Sequence, residues 1–356
     1  MVRGKGLQVG ILFGGRSAEH EVSLISAQGV MAAIDQDRFQ AVPMGITKDG
    51  TWLTPQETQA ALAAISGERM GALQEPSGRG FSDQALAALR GIDVLFPLVH
   101  GTYGEDGSLQ GLLEILGIPY VGAGVAASAV GMDKVLQQMA FRQAGLPVPH
   151  SLVVTPPQWK NEMTVVVRQI ESELGYPCFV KPANGGSSIG TTKAHSREAL
   201  ADGLVEALRY DRKALVEQAI AGRHIECSVL GNDDPQASPL GEIEFSRDFY
   251  DYVAKYEDPR TRLIIPASLP PEVSERLRAM AIAVFKIIDC AGMGRVDFFL
   301  AQNGQAYVNE INTIPGFTPM SMYPKLWEAA GLSYGSLIAR LIELGLERHQ
   351  EKQTRA

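Results

Sequence analysis

The sequence predicts a chain of mixed class, α/β and α+β, in which an N-terminal open parallel α/β domain precedes units built on short strands and a hairpin. Three observations carry that expectation. Leu7–Phe13 is a short apolar run that ends in Gly14-Gly15, is followed by the polar loop Arg16–Glu21, and leads into a helical pattern from about Val22 to Ile34. A strand-loop-helix opening of this kind begins an open α/β sheet, where ligands lie beyond the carboxyl ends of the strands. Far along the chain, Gly294–Leu300 and Ala306–Asn312 are β-rich runs on either side of Asn303-Gly304, a dipeptide suited to a tight type I′ turn. Finally, 356 residues suffice for two or three domains, and the small-residue stretch from Gly122 to about Gly131 reads as a boundary. The expected division is 1–130, 131–230 and 231–356.

Composition narrows the function classes. A hydrophobic share of 45% and a charged share of 20% are ordinary for a globular protein. The net charge of −8 argues against nucleic acid or an anionic membrane surface as partner. No apolar run approaches the roughly 20 residues of a spanning helix, and Leu7–Phe13 is too short for a secretory signal. Cys178, Cys227 and Cys290 show neither metal nor redox spacing, which fits buried thiols in a reducing cytoplasm.

Taken in order, the first glycine pair is not a GxGxxG fingerprint. Glu19 beside it is either a helix-capping acid or a group that holds a substrate ammonium. Asp93–Val99 reads as a buried strand delivering His100-Gly101-Thr102-Tyr103-Gly104-Glu105-Asp106-Gly107, whose glycines suggest backbone approaching a ligand. Ser108–Leu116 reads as a helix and Ile118–Val121 as a fourth strand. Asp133–Gln143 is helical, opens with Met132-Asp133-Lys134, and is stopped by Pro147 and Pro149; a lone Lys134 there is ordinarily solvated. Thr164–Leu174 is helical and Phe179–Pro182 a strand. The loop Ala183–Gly190 after it offers backbone N–H groups and hydroxyls to phosphate oxygens, with Lys181 adjacent, but it is not a Walker A loop. Leu215–Gln218 is a strand whose Glu217 suits a purine amino group, and Ile225–Leu230 and Gly241–Phe245 are further strands. Ser246–Pro266 is long, polar and tyrosine-rich, the character of a functional lid. Glu272–Cys290 is an amphipathic helix. Thr313–Gly316 and Ser321–Pro324 read as an irregular loop, and a last helix covers about Tyr334–Leu346 before a fraying charged tail.

Counting across a two-residue turn pairs Leu300 with Tyr307, Phe298 with Asn309, Asp297 with Glu310 and Arg295 with Asn312. Alternation then puts Arg295, Asp297, Glu310 and Asn312 on one face. Two opposed carboxylates repel, by roughly 4 kcal/mol at about 4 Å and an effective dielectric of about 20. A hard divalent cation relieves this, and Asp, Glu and Asn oxygens are its natural ligands. The cluster has the character of a magnesium site, not a zinc site.

Seven stretches in order, GGRSAEHEVS, HGTYGEDG, MDK, VKPANGGSSIG, FYDYVAKY, GRVDFF and VNEINTIPGFTPMSMYP, resemble the D-alanine–D-alanine ligases of the ATP-grasp superfamily over nearly the whole chain. The resemblance implies a two-domain ATP-grasp fold after the N-terminal domain. It implies ATP-dependent joining of two D-alanines through an acylphosphate, with two magnesium ions, replaceable by manganese, on Asp297, Glu310 and Asn312. It further implies that Lys134 and Lys181 contact phosphates, that the loop containing Gly186 and Ser188 closes over them, and that Glu217 serves the nucleotide. Arg295 and the backbone N–H of Gly316 would hold the oxyanion. Glu19 would bind the first ammonium near His100, Ser187 and Tyr256 would join Glu19 in a triad that holds the lid, and Lys255 and Ser321 would take the second carboxylate. A homodimer is expected from the family alone. Gly222-Arg223-His224-Ile225-Glu226 departs from the family pattern: His224 stands where an acid would accept from the ribose, which implies altered nucleotide affinity. The competing readings are a D-alanine–D-lactate ligase, another ATP-grasp ligase, and a nucleotide-binding regulatory protein; the lid's Lys255-Tyr256 and the intact metal face favour the dipeptide former.

Overall fold

The computed structural model describes residues 6–65, 73, 80–246 and 258–355. Its first unit is a parallel sheet of order β2-β1-β3, made of β1 (Leu7–Gly14), β2 (Phe39–Ile46) and β3 (Val94–Pro97). β1 is the central strand and is buried from Val9 to Gly14, which accounts for its continuous apolar run. Val9, Ile11 and Phe13 pack on one side and Leu12 on the other, with Met44 and Leu95. Helix α1 (His20–Ala33) follows β1; α2 (Pro55–Ile65), α3 (Asp83–Arg90) and α4 (Ser108–Leu116) complete the layers. β2, α2 and α3 were not read from the sequence.

The expected fourth strand at Ile118–Val121 is a single parallel bridge, Leu95 to Tyr120. Pro119 has no N–H to extend the ladder, and Gly122, at φ +95°, turns the chain away at once. The stretch read as a boundary contains α5 (Val125–Met132) and runs straight into α6 (Lys134–Gln143). Asp133 caps α6, accepting from the N–H of Val135 at 3.0 Å and of Leu136 at 3.2 Å.

The second sheet is antiparallel, with order β4-β7-β5-β6, from β4 (Ser151–Val154), β5 (Cys178–Pro182), β6 (Thr192–Ala194) and β7 (Ala214–Gln218). It is covered by α7 (Pro156–Glu173) and α8 (Arg197–Tyr210). α7 starts well before Thr164 because Pro156 opens it and Gln158 Oε1 accepts from Thr155 N at 3.0 Å; non-helical Glu162 marks the kink between its two parts.

The third sheet has order β10-β9-β8-β11-β12: β8 (Gly222–Gly231), β9 (Gln236–Glu244), β10 (Arg262–Ile264), β11 (Gly292–Ala301) and β12 (Ala306–Asn312). Helix α9 (Pro271–Ile287) packs on it. The β11–β12 turn is not type I′. Ala301 N donates to Gln305 O and Gly304 N to Ala301 O, and of the turn residues only Gly304 has positive φ, a three-residue loop. Phe298 therefore faces Val308 and Leu300 faces Ala306, one residue off the expected pairs. A bulge between Asp297 and Phe298 then absorbs Asn309 and restores the expected pairs Asp297–Glu310 and Arg295–Asn312.

Two terminal features also differ from expectation. Ser321–Pro324 is not irregular: Ser321 precedes α10 (Met322–Ala329), with Pro324 in its first turn. The last helix, α11, runs from Tyr334 to Arg355. Its charged end is held because Arg348 donates to the carbonyls of Gly122 and Tyr120 and stacks on the Tyr120 ring, and Lys352 pairs with Glu114 at 2.5 Å. All three cysteines are buried, and desolvation pushes their thiols up, Cys178 to about 11 and Cys227 and Cys290 to about 12. Among the described residues no helix is long and apolar enough to cross a membrane.

Candidate active site

The loops at the carboxyl ends of β1 and β3, the loop after β5, and the polar face of the third sheet enclose a cavity of about 1690 Å³ whose walls include Glu19, His100, Lys134, Ser187, Asp297 and Glu310. Its floor follows from strand register. Asp297 on β11 lies opposite Glu226 on β8 and Glu310 on β12, so three carboxylates form one row across three adjacent strands. Two cations answer them. Arg295 makes a two-pronged pair with Asp297, both bonds 2.7 Å, and its Nε lies 3.0 Å from Glu226 Oε2. Lys134 lies 3.3 Å from Glu310 Oε2.

Asn312 Nδ2 donates to Asp297 Oδ2 at 3.0 Å. Among the described residues no three His, Cys, Asp or Glu side chains converge on one point; Asp297 is turned to Arg295 and Glu310 to Lys134. The donor set nevertheless fits a hard cation, since it offers carboxylate and amide oxygens.

The loop Ala183–Gly190 is folded over this face. Ser187 and Ser188 have φ of 48° and 57°, left-handed values that cost an L residue about 1 kcal/mol each. The turn they make carries Ser187 Oγ to Glu19 Oε1, 2.5 Å away across 168 residues of sequence. Gly186 eases the same approach, since a Cβ would lie 3.0 Å from Glu19 Oε2 and push that side chain aside. Glu19 makes no side-chain cap on α1, and its side chain lines the cavity. Lys134 is not solvated either: Nζ donates to Gly185 O at 2.8 Å.

Near Glu19, His100 is 3% exposed, with Nδ1 3.1 Å from Ile314 O and Nε2 without a hydrogen-bond partner among the described residues. Burial holds its pKa below the usual value, and since the Ile314 carbonyl can only accept, Nδ1 is the donor there. Glu105, quoted in the sequence motif but given no role there, accepts from Gly101 N at 2.6 Å and Ile314 N at 3.2 Å. Burial first, and the charge of Glu19 second, push its carboxyl up to about 8. An acid in a glycine-rich strand end was the available signal. Glu226 carried a weaker one, its even spacing from His224.

Lys181 pairs with Glu217, whose other oxygen accepts from Gln138; both Glu217 oxygens are therefore engaged in this structure. His224 packs edge-on against Phe245 and Phe299, at centroid distances of 4.8 and 5.0 Å. Ser321 Oγ lies 3.0 Å from Thr318 N and 2.8 Å from its hydroxyl, with Gly316 alongside. Lys255 and Tyr256, expected in the lid, lie outside the described residues.

Comparison with known proteins agrees with this arrangement. Residues 8–123 match the family model for the D-ala D-ala ligase N-terminus, and residues 140–343 the model for the D-ala D-ala ligase C-terminus. The chain is 50% identical over 360 residues to a D-alanine–D-alanine ligase of Geobacillus kaustophilus, covering 98% of this chain and 96% of that protein. It is 47% identical to one of Clostridium novyi, covering 96% and 98%. Among solved structures it resembles the D-alanine–D-alanine ligase from Coxiella burnetii (TM-score 0.83, 38% identity, 98% and 97% covered). It also resembles the VanG D-Ala:D-Ser ligase from Enterococcus faecalis (TM-score 0.80, 32% identity, 96% and 99% covered). With both halves matched in sequence and nearly the whole chain matched in structure, the protein belongs to the D-alanine–D-alanine ligase family.

Proposed function

We propose that this chain joins two D-alanine molecules into D-alanyl-D-alanine, converting ATP to ADP and phosphate, as a step in making peptidoglycan precursor. The observation that carries the reading is the Ser187–Glu19 hydrogen bond, which ties a phosphate-type loop to the N-terminal strand end in the cavity that the carboxylate row also lines.

The first D-alanine is held with its ammonium at Glu19 and His100 Nε2. Its carboxylate oxygen attacks the γ-phosphorus of ATP, ADP leaves, and an acylphosphate results. The amine of the second D-alanine, whose carboxylate is taken by Lys255 and Ser321, attacks the acyl carbon; the tetrahedral intermediate loses phosphate and a proton to give the amide. ATP supplies the leaving group, so the protein's work is orientation and charge neutralisation. Lys134 and Lys181 face the phosphates, with Glu217 at the nucleotide end, and the loop bearing Gly186 and Ser188 excludes water from them. Arg295 and the Gly316 N–H stabilise the oxyanion. Magnesium, or manganese in its place, held by Asp297, Glu310 and Asn312, neutralises phosphate charge when bound. Tyr256 completes the hydrogen-bonded triad with Ser187 and Glu19. A cytoplasmic homodimer, with neither nucleic acid nor membrane as partner, completes the proposal.

The likeness to a D-Ala:D-Ser ligase makes the acceptor the point to test. ADP release should be followed with magnesium ATP and D-alanine, L-alanine, or D-alanine plus D-serine or D-lactate, and product masses read. Turnover with D-alanine alone and a dipeptide mass is expected. Preferential formation of a D-serine or D-lactate product would reassign the second subsite, and no turnover with any of them would overturn the ligase reading.

A further inference from the structure

β12 is the outermost strand of its sheet. One side of its backbone pairs with β11, and the other presents N–H and C=O groups that need partners elsewhere. Two of them are answered from outside the sheet: Val308 N donates to Pro147 O at 2.8 Å, and Ile311 N donates to Gln137 Oε1 at 3.0 Å. Ile311 lies between Glu310 and Asn312. The Gln137 side chain is 1% exposed and fixed at its other end, Nε2 donating to Gly131 O at 3.3 Å. A buried carboxamide therefore holds the outer edge of this strand between two of the three proposed metal ligands.

Its neighbour on α6 faces elsewhere, since successive helical residues diverge by about 100°. Gln138, 2% exposed, donates to Glu217 and accepts from Ser151 Oγ at 2.8 Å; Glu217 in turn holds Lys181. The base of α6 is itself anchored, with Asp133 capping its first turn and paired with Lys213. Lys134, in that turn, reaches both Gly185 and Glu310.

We infer that α6 is a positioning helix with two separable arms: Gln137 orients the metal-ligand strand through the Ile311 N–H, and Gln138 orients the nucleotide end through Glu217 and Lys181. The inference rests on the metal and nucleotide assignments proposed above. Neither glutamine touches substrate; each acts through a neighbour. Side chains one step removed from a metal ligand commonly change metal affinity by about 10- to 100-fold when lost.

The test uses the full-length protein with Gln137→Met or Gln138→Met, methionine being unbranched, of similar helix propensity and without a strong acceptor. Three quantities are read: Mn²⁺ binding in the presence of ADP, from the electron paramagnetic resonance signal of free Mn²⁺; metal-free binding of a fluorescent ADP analogue; and the thermal midpoint. Gln137→Met is expected to weaken Mn²⁺ binding about tenfold and leave metal-free nucleotide binding unchanged. Gln138→Met is expected to do the reverse, weakening metal-free nucleotide binding about tenfold with Mn²⁺ affinity unchanged. Equal shifts of both affinities in both variants, or a lowered midpoint with neither affinity moved, would overturn the inference in favour of plain packing. Wild-type protein that binds nucleotide but no Mn²⁺ would fail differently, removing the metal assignment and the Gln137 arm with it.

Discussion

The β11–β12 hairpin and the loop Ala183–Gly190 bring chemistry to the same cavity by opposite means. In the hairpin, Asp297 and Glu310 are held by ladder bonds, with β8 fixing Asp297 from the other side. A slip of one residue would turn the whole row to the other face, so its geometry persists whether or not a ligand is present. The loop's root is pinned, Ala183 by Lys134 N and Lys213 O and Asn184 by Asp211, whereas its tip is held without a ladder, by turns such as Ile189 N to Gly186 O and Thr191 N to Ser188 O and by the reach of Ser187 to Glu19 and Lys134 to Gly185. Segments held outside a ladder open at smaller free-energy cost than strands within one. The comparison teaches that the carboxylate row is fixed by its ladder independently of the loop that lies over it, an order suited to the proposed entry of ATP and exit of ADP.

Substitutions on the two sides should therefore differ in kind. The largest effect is expected from Glu310→Gln, which removes one carboxylate of the row and leaves Lys134 without its ion pair to it; ADP release should fall by more than about 100-fold. Near-normal turnover would remove the row from the mechanism. On the loop side, Ser187→Ala deletes a hydrogen bond to a charged group, roughly 1.5–3 kcal/mol. It should lower kcat/KM for ATP by about tenfold or more while leaving the unfolding midpoint almost unchanged, and Tyr256→Phe should behave alike but more weakly. A large drop in the midpoint for Ser187→Ala would show the loop to be as fixed as the hairpin.

A third prediction concerns pH. Glu105 has its folded-state carboxyl raised from 4.5 to about 8, so the folded protein holds this proton more tightly than the unfolded chain. The associated stability is present at low pH, is lost as pH rises from about 4.5 through about 8, and changes no further above that. Denaturant titrations at pH 6 and pH 8.5 should show a smaller loss across the interval for Glu105→Gln than for the parent. Equal losses would place the buried proton elsewhere. The smallest effect is expected from Lys352→Ala on the exposed end of α11, a change in stability of less than about 0.5 kcal/mol by the same titration.

The same contrast governs what the sequence made legible. The hairpin could be counted from Asn303-Gly304, and the pairs that matter, Asp297–Glu310 and Arg295–Asn312, came out as counted although the turn was wrong in type. The three-residue turn and the Asn309 bulge are offsetting errors of one residue each, invisible without backbone dihedrals. Ser187 with Glu19 was accessible only through family resemblance, since nothing local to either residue announces a partner 168 positions away. Gln137 gave no signal at all, because a buried glutamine on an amphipathic helix looks like any polar surface position. The end of α11 was read as fraying from its charge, but Arg348 and Lys352 find partners on Tyr120 and Glu114, and tertiary contact outweighed composition.

The core beneath the parallel sheet is shared by the two ends of the chain: Val9, Ile11 and Phe13 pack in one cluster with Leu337, Ile338 and Leu341. Phe13 and Leu337 are 337 − 13 = 324 positions apart. On a ribosome adding about 5–20 residues per second, the first strand emerges roughly 16–65 s before the helix that covers it. Throughout that interval the nascent N-terminal sheet has α1 but not α11 against that face, so part of its apolar surface is uncovered, the kind of surface that recruits chaperones or a second chain. A stop codon before α11 would consequently damage the beginning of the protein more than its end.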